Sequence, residues 1–280
     1  MHIGNAPRRV PLSLQIVNLF NGFAQAGWLV FGFGMIFFWF FAFNADFSFV
    51  TFRGPYATAQ GKVTKVETTH ASENDVEVEA NHYEFSVAGR THTGASYSTG
   101  KSVAEGESVT VEYDQDDPSR SRIEGLRRAV FGPAVALVTL FPAIGLAFLV
   151  PSIVTGFKRN RLLREGVPAQ GTLIGKSPTN VTVNDRPMFE LRFAFTARDG
   201  RRYEATTRTT NTDPLEDEAT EPLLYDPDNP ERAYLLDDAP ARPEFLLNGD
   251  LRGRTAAAVR ALILPTIVIA GHGWILLARF

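Results

Sequence analysis

The chain has no cysteine in its 280 residues, which removes disulfides, thiolate metal sites and cysteine nucleophiles together. Histidine is scarce. Of five, His2 is terminal and His70 sits in a polar, loop-like run, leaving His82, His92 and His272 as candidates. There is no glycine-rich phosphate loop, and the plentiful serines and threonines come without a nucleophile-elbow pattern or a matching base and orienting acid. A basic excess is missing as well: residues 57–123 carry six basic against twelve acidic side chains, and residues 168–236 carry eight against twelve. Neutralising phosphates needs clustered lysine and arginine, so no nucleic-acid partner is expected.

What is present is segregated. At 44% hydrophobic with a formal net charge of −3, the average composition is that of an ordinary globular protein, yet the apolar residues fall in three blocks. Residues 23–43 run uncharged through Phe37-Phe38-Trp39-Phe40-Phe41, residues 129–157 form the second block, and residues 258–279 the third, apolar from Ala261 to Ala278 except at Thr266 and His272. Each has the length to cross a bilayer core. Trp28, Trp39 and Trp274 suit interface anchors. Pro133, Pro142 and Pro151 predict an irregular second helix. The first block follows Arg8 and Arg9, but its apolar core is too long and Phe43 too bulky for a cleavage site, so it reads as an uncleaved anchor. Within the polar or amphipathic segment 1–22 and just beyond it, Gln15, Asn18, Asn21, Gly22 and Gln25 recur at helical spacing. They predict a polar stripe that faces water, the membrane surface or another helix.

Between the blocks one pattern occurs twice. Ala59-Gln60-Gly61 and Ala169-Gln170-Gly171 each open a run of apolar alternation; Tyr83-Glu84-Phe85-Ser86-Val87 answers Phe193-Ala194-Phe195-Thr196-Ala197; Val111-Glu112-Tyr113-Asp114 answers Leu223-Leu224-Tyr225-Asp226. The period of two predicts strands with one buried face. Ala88-Gly89 and Asp199-Gly200 have hairpin-turn composition. With Ala88-Gly89 as a two-residue turn, Phe85 faces His92, and His82 lies on the other face, so the two histidines do not share a metal site. A parity change between Val78 and Tyr83 predicts a bulge at Asn81-His82. Pro222, inside the strand ending at Tyr225, predicts an edge or bulged strand. The fold class expected is therefore membrane α plus all-β: three transmembrane helices and two small five-stranded β-barrel or sandwich domains, residues 57–123 and 168–236, from an internal duplication, with a linker over 237–257.

Few residues invite chemistry. The acidic exits at Asp114–Pro118 and Asp226–Pro230 have turn composition without calcium-loop spacing, and the acidic stretch Glu67, Glu73, Asp75, Glu77 and Glu79 reads as a solvated strand and loop. Asn180-Val181-Thr182 matches a glycosylation acceptor, a short and common pattern. His272, between two glycines inside the third block, is the residue singled out. An intramembrane ionisable group is a functional candidate, whereas a neutral imidazole bonding a backbone carbonyl, Asn21 or Gln25 would serve packing, with its flanking glycines admitting another helix. Three crossings put the two β-domains on opposite sides. Nine flanking basic residues against six place the second domain in the cytoplasm, and Lys158-Arg159-Asn160-Arg161 could also touch anionic lipid.

The paired Ala-Gln-Gly starts, the aromatic hairpin with its glycine, and the closing Tyr113-Asp114 to Pro118 and Tyr225-Asp226 to Pro230 resemble the bacterial membrane family catalogued as domain of unknown function 3592. The first domain departs from the closing pattern at Gln115 and Asp117. The resemblance implies a small β-domain beside transmembrane helices and supplies no reaction, cofactor or catalytic residue. The expectation is thus an inner-membrane, multi-pass protein without catalytic, cofactor or metal residues. It would bind the lipid bilayer and a protein partner or a second copy of itself, as a non-enzymatic binding or scaffolding protein. The alternatives are a membrane enzyme or processing factor using His272 at a helix/β-domain junction, and a subunit of an oligomeric transporter.

Overall fold

The computed structural model describes residues 3–279 except 102 and 241, so His2 lies outside the described residues. The chain divides into two compact units, residues 1–32 with 144–280 and residues 33–143. Leu12–Phe20 form helix α1 and Phe23–Phe40 helix α2, followed by a 3-10 turn at Ala42–Asn44 and the short helix α3 at Ser48–Thr51. Leu140–Glu165 form α4 behind a 3-10 segment at Pro133–Thr139, and Thr255–Arg279 form α5. Three helical stretches, Phe23–Asn44, Pro133–Glu165 and Thr255–Ala278, are long and apolar enough to cross a membrane.

Strands β1 to β5 are Tyr56–Glu73, Val76–Val87, Arg90–Thr99, Ser108–Asp114 and Ser121–Ile123; β6 to β10 are Val167–Val183, Arg186–Thr196, Arg202–Thr209, Glu221–Asp226 and Asn229–Leu235. They make two five-stranded antiparallel sheets of equivalent order, β3-β2-β1-β4-β5 and β8-β7-β6-β9-β10. Among the described residues no continuous ladder closes either sheet. The edges of the first approach through the Ile123 amide, which donates to the Ser96 hydroxyl at 2.9 Å, and an isolated bridge joins Tyr97 of β3 to Arg127 beyond β5.

The correspondence extends to irregularities. β1 is bulged between Val63 and Lys65 and again between Thr68 and Ser72; β6 is bulged between Leu173 and Gly175 and between Pro178 and Thr182. Both pairs fall at the same distances from Gly61 and Gly171. At each second bulge a threonine hydroxyl bonds across to the neighbouring strand, Thr69 to the Val78 carbonyl and Thr179 to the Met188 carbonyl. Each long hairpin then turns on Asn-Asp, with φ of 50° and 63° at Asn74 and Asp75 and 49° and 60° at Asn184 and Asp185. That is the type I′ geometry suited to strand twist. The paired glycines have a steric cause. A Cβ on Gly61 would sit 2.7 Å from the Val111 side chain, and one on Gly171 2.9 Å from Leu223.

Several sequence expectations change here. β2 pairs with β3 without interruption from Val78 to Val87, so the bulge belongs to β1 and not to Asn81-His82. Asn81 is fully buried on the face of Tyr83 and Phe85, donating to the Ser96 carbonyl and Ser98 hydroxyl, while Val78 and Ala80 are buried on the opposite face; the parity change marks a stretch of β2 covered on both faces. β9 is not an edge strand. The Pro222 carbonyl accepts from the Leu236 amide, as that of Thr110 does from Glu124. The ring nitrogen therefore points past the end of β10, where no ladder donor is required. His70 lies within β1 rather than in a loop. Glu73 is not merely solvated, since it binds Arg127 at 2.7 Å, the Thr99 hydroxyl at 2.8 Å and the Gly132 amide at 2.9 Å.

The helices differ from expectation in extent. α4 continues past Phe157 through the basic run to Glu165, because arginine, lysine and glutamate are good helix formers although the apolar criterion stops there. The polar stripe is not one helix face: Asn21 caps α1 and Gly22 takes φ of 63° before α2 begins. Its members serve neighbours, Asn18 donating to Asn160 on α4 at 2.8 Å and Gln25 to the Ala261 carbonyl on α5 at 2.8 Å. Residues 237–257 are no loose linker, for Ala239 and Leu251 join the core. Trp39 is buried within the protein rather than anchoring an interface, while Trp274 is 72% exposed. Arg8 is also more than a flanking charge. It is buried and donates to the Leu163 carbonyl at 2.9 Å and to that of Gly166, capping the end of α4.

Candidate functional site

Alternation along β9 and β10 gives the second sheet two cores. Leu223, Tyr225 and Leu235 pack with Phe193 and Phe195 on one face. On the other, Leu224, Tyr234 and Leu236 pack with Leu14 and Val17 of α1, Leu163 of α4 and Ala258 of α5. The C-terminal turns of α4 are thereby held over β8 and β10, and a cavity of about 330 Å³ remains between them.

Charged side chains ring the cavity over a lining whose surface is mostly apolar. Lys158, Arg159, Arg161 and Arg232 line it, together with Asp226 and Asp238. Tyr234 also lines it, 8% exposed, its hydroxyl buried with no hydrogen-bond partner among the described residues. Leaving such a donor unpaired costs about 1 to 3 kcal/mol. The Arg159 guanidinium lies 5.4 Å from the centroid of the Tyr234 ring, a cation–π contact that fixes both side chains. Burial pushes the Tyr234 hydroxyl above the usual tyrosine range and raises the Asp238 carboxyl, which accepts from the Thr207 hydroxyl. Asp226 accepts from the Asp228 amide at 3.1 Å, and Arg161 and Arg232 reach it only at 3.9 and 4.0 Å. Lys158 and Arg159 make no direct ion pair among the described residues, although Asp238 lies near enough for the Arg159 charge to act on its carboxyl. The arrangement has the chemistry of an anion site: four cations against two acids, and a buried hydroxyl able to donate.

The residues singled out in the sequence lie elsewhere. His272 Nε2 is 3.0 Å from the Gly32 carbonyl of α2, so the imidazole donates from that nitrogen. The glycine that admits this contact is Gly32, where a Cβ would lie 2.5 Å from Val268; Gly271 and Gly273 face open space, contrary to the role expected of them. His272→Phe is expected to cost about 1 kcal/mol, read as a lower thermal midpoint in detergent; an unchanged midpoint would remove the packing role. His92 pairs with Phe85 across β2 and β3, their rings 5.5 Å apart, while His82 contacts Glu67 at 3.1 Å. The two histidines are not brought together. No group of three or more metal-ligating side chains occurs among the described residues. Sequence reasoning reached Lys158 to Arg161 but not Tyr234 or Asp238, whose roles arise only when α4 docks on the sheet.

Three long apolar helices and two five-stranded antiparallel sheets are the elements that define the class. Residues 59–128 match the family described as Domain of unknown function (DUF3592). No curated protein matches the chain. Among solved structures, a replication protein A heterotrimer bound to single-stranded DNA aligns at 11% identity and a TM-score of 0.17, over 62% of this chain and 45% of that one. The chain thus spans less than half of the solved chain it matches, and a likeness of that size carries neither fold nor function.

Proposed function

We propose that the chain is an integral, multi-pass membrane protein that binds rather than catalyses, holding a ligand or partner through its β-domains at the membrane surface. The observation that supports this most is the exposure of the apolar helices. Leu29 and Phe33 of α2, Val150 and Phe157 of α4, and Ile267, Ile269 and Leu277 of α5 are each between 57 and 80% exposed. Apolar surface on this scale is covered by lipid or protein in a stable molecule. The equivalent strand order and matching bulges support descent of the two sheets from one duplicated unit, with the second of the same family as the first. The small twisted sheets with approaching edges favour an incompletely closed barrel.

Alkaline carbonate washing of isolated membranes tests the anchoring: the chain is expected to stay in the pellet, and its release would overturn the reading. The flanking charges favour a bacterial inner-membrane location with residues 168–236 on the cytoplasmic side and 57–123 opposite. Reporter fusions inserted at Asn74-Asp75 and Asn184-Asp185, the hairpin tips, are expected to give opposite-side signals. Same-side signals would show that one apolar segment does not cross.

A further inference from the structure

The charge-ringed cavity does not end at Asp238. A second cavity of about 510 Å³ shares Thr155, Arg159 and Asp238 with it and continues along Ser152, Pro151, Phe148 and Ala147 of α4, with Asn18, Asn21 and Phe23 also lining it. Its lining changes from charged to apolar along one helix face. From Arg159 back to Ala147 is about 18 Å of helix at 1.5 Å per residue. One leaflet of a bilayer's hydrocarbon is about 15 Å deep. The charged end begins immediately after Phe157, where the apolar run of α4 stops.

We propose that this groove holds one anionic phospholipid, its phosphate against Lys158 and Arg159, the Tyr234 hydroxyl donating to it, and an acyl chain along Pro151, Phe148 and Ala147. The inference rests on the membrane reading above. Charge selects the headgroup: both acids are already engaged, Asp238 by the Thr207 hydroxyl and Asp226 by its own turn and by Arg161 and Arg232. Four cations face two acids, so positive charge remains for the ligand, carried by Lys158 and by Arg159, which make no direct ion pair among the described residues. A phosphate also satisfies the buried Tyr234 hydroxyl, which in the protein alone has no acceptor among the described residues.

The test uses the full chain in detergent with equimolar phosphatidylglycerol, phosphatidylethanolamine and phosphatidylcholine, counting retained lipid by native mass spectrometry. Phosphatidylglycerol is expected to be retained preferentially. Arg159→Gln should lower its retention about fivefold, and Lys158→Gln with Arg159→Gln about thirtyfold, at roughly a fivefold effect per basic charge. Tyr234→Phe separates ligand binding from folding: it should reduce retention severalfold without lowering the thermal midpoint of the lipid-free protein, because the lost hydroxyl had no partner there. Arg201→Gln with Arg202→Gln, two exposed charges outside the groove, should leave retention unchanged. Equal retention of phosphatidylcholine or phosphatidylethanolamine would overturn the proposal, as would an equal loss in the Arg201/Arg202 variant. Displacement of the lipid by millimolar inorganic phosphate would also overturn it in favour of a small-anion site. Failure of lipid selectivity in a chain that resists carbonate extraction removes this inference alone; extraction by carbonate removes the membrane reading beneath it.

Discussion

Gly145→Leu is expected to destroy the folded protein, seen as loss of monodisperse material in detergent and a destabilisation of about 3 kcal/mol or more. A Cβ at this position would lie 2.6 Å from the Cα and 2.7 Å from the Cβ of Phe31 on α2. The obstruction is largely main chain, which cannot rotate aside as a side chain does. One helix must move, and the same approach is used again at Gly27, whose added Cβ would stand 2.8 Å from Leu149. Opening the pair at Gly145 therefore forfeits packing along several turns. Gly273→Leu is the control. It is the same substitution in an apolar helix, with nothing within 4 Å of the new Cβ. Relief of the helix penalty of glycine makes it neutral or slightly stabilising, by up to about 1 kcal/mol. Similar losses at both sites would show that the protein tolerates no bulk in its helices, and the close approach of α2 and α4 would lose its standing as the cause.

The second large effect concerns Glu221, which occupies the place in the second sheet that Val109 holds in the first, each paired with the Ala-Gln-Gly glycine. Glu221 is 2% exposed and one carboxyl oxygen is unsatisfied among the described residues. Burial, then the nearby charges of Asp237 and Asp217, push its pKa up to about 7. The folded state therefore holds a proton that the unfolded chain releases near pH 4.5. Stability from this group is full below about 4.5, falls as pH rises toward 7, and levels off above it, since the native state binds more protons throughout that window. The loss is on the order of 3 kcal/mol. Glu221→Gln should abolish this slope and be more stable than the natural protein at pH 8, with little difference at pH 4.5. Denaturant titrations of the two proteins across this range decide it, and parallel stability curves would overturn the assignment. The comparison cancels distant carboxylates such as Glu73, which contribute equally to both proteins, and reads Glu221 together with Asp237, whose carboxyl is coupled to it.

Much of the fold could be read from the sequence because its signals are local. The apolar blocks, the paired Ala-Gln-Gly runs and the Ala88-Gly89 turn each depend on residues close in the chain, and the turn fixes Phe85 opposite His92 as observed. The long hairpins were obscured for a definite reason: β1 and β6 each carry two bulges, and each bulge shifts the alternation by which a strand is recognised. Their Asn-Asp turns lack the glycine that usually marks positive φ. The cavity was harder still. Tyr234 reads as one more strand residue and Asp238 as part of a connecting segment. Only the docking of α4, through Leu163, places them beside Lys158 and Arg159. Separation in the chain, rather than weak chemistry, kept that site out of view.

The core behind β9 and β10 joins Leu14 and Val17, near the start of the chain, to Ala258, near its end. Translation runs from one to the other. Helix α1 leaves the ribosome early and waits through the synthesis of both sheets before α5 arrives to cover it, while Leu224 and Leu236 lack one wall of their packing. A nascent chain halted before residue 258 is therefore an unfinished structure, with apolar side chains on display to chaperones and proteases. A core that closes only when segments about 240 residues apart meet ties the helices and the second sheet into one cooperative unit, so neither is expected to melt without the other.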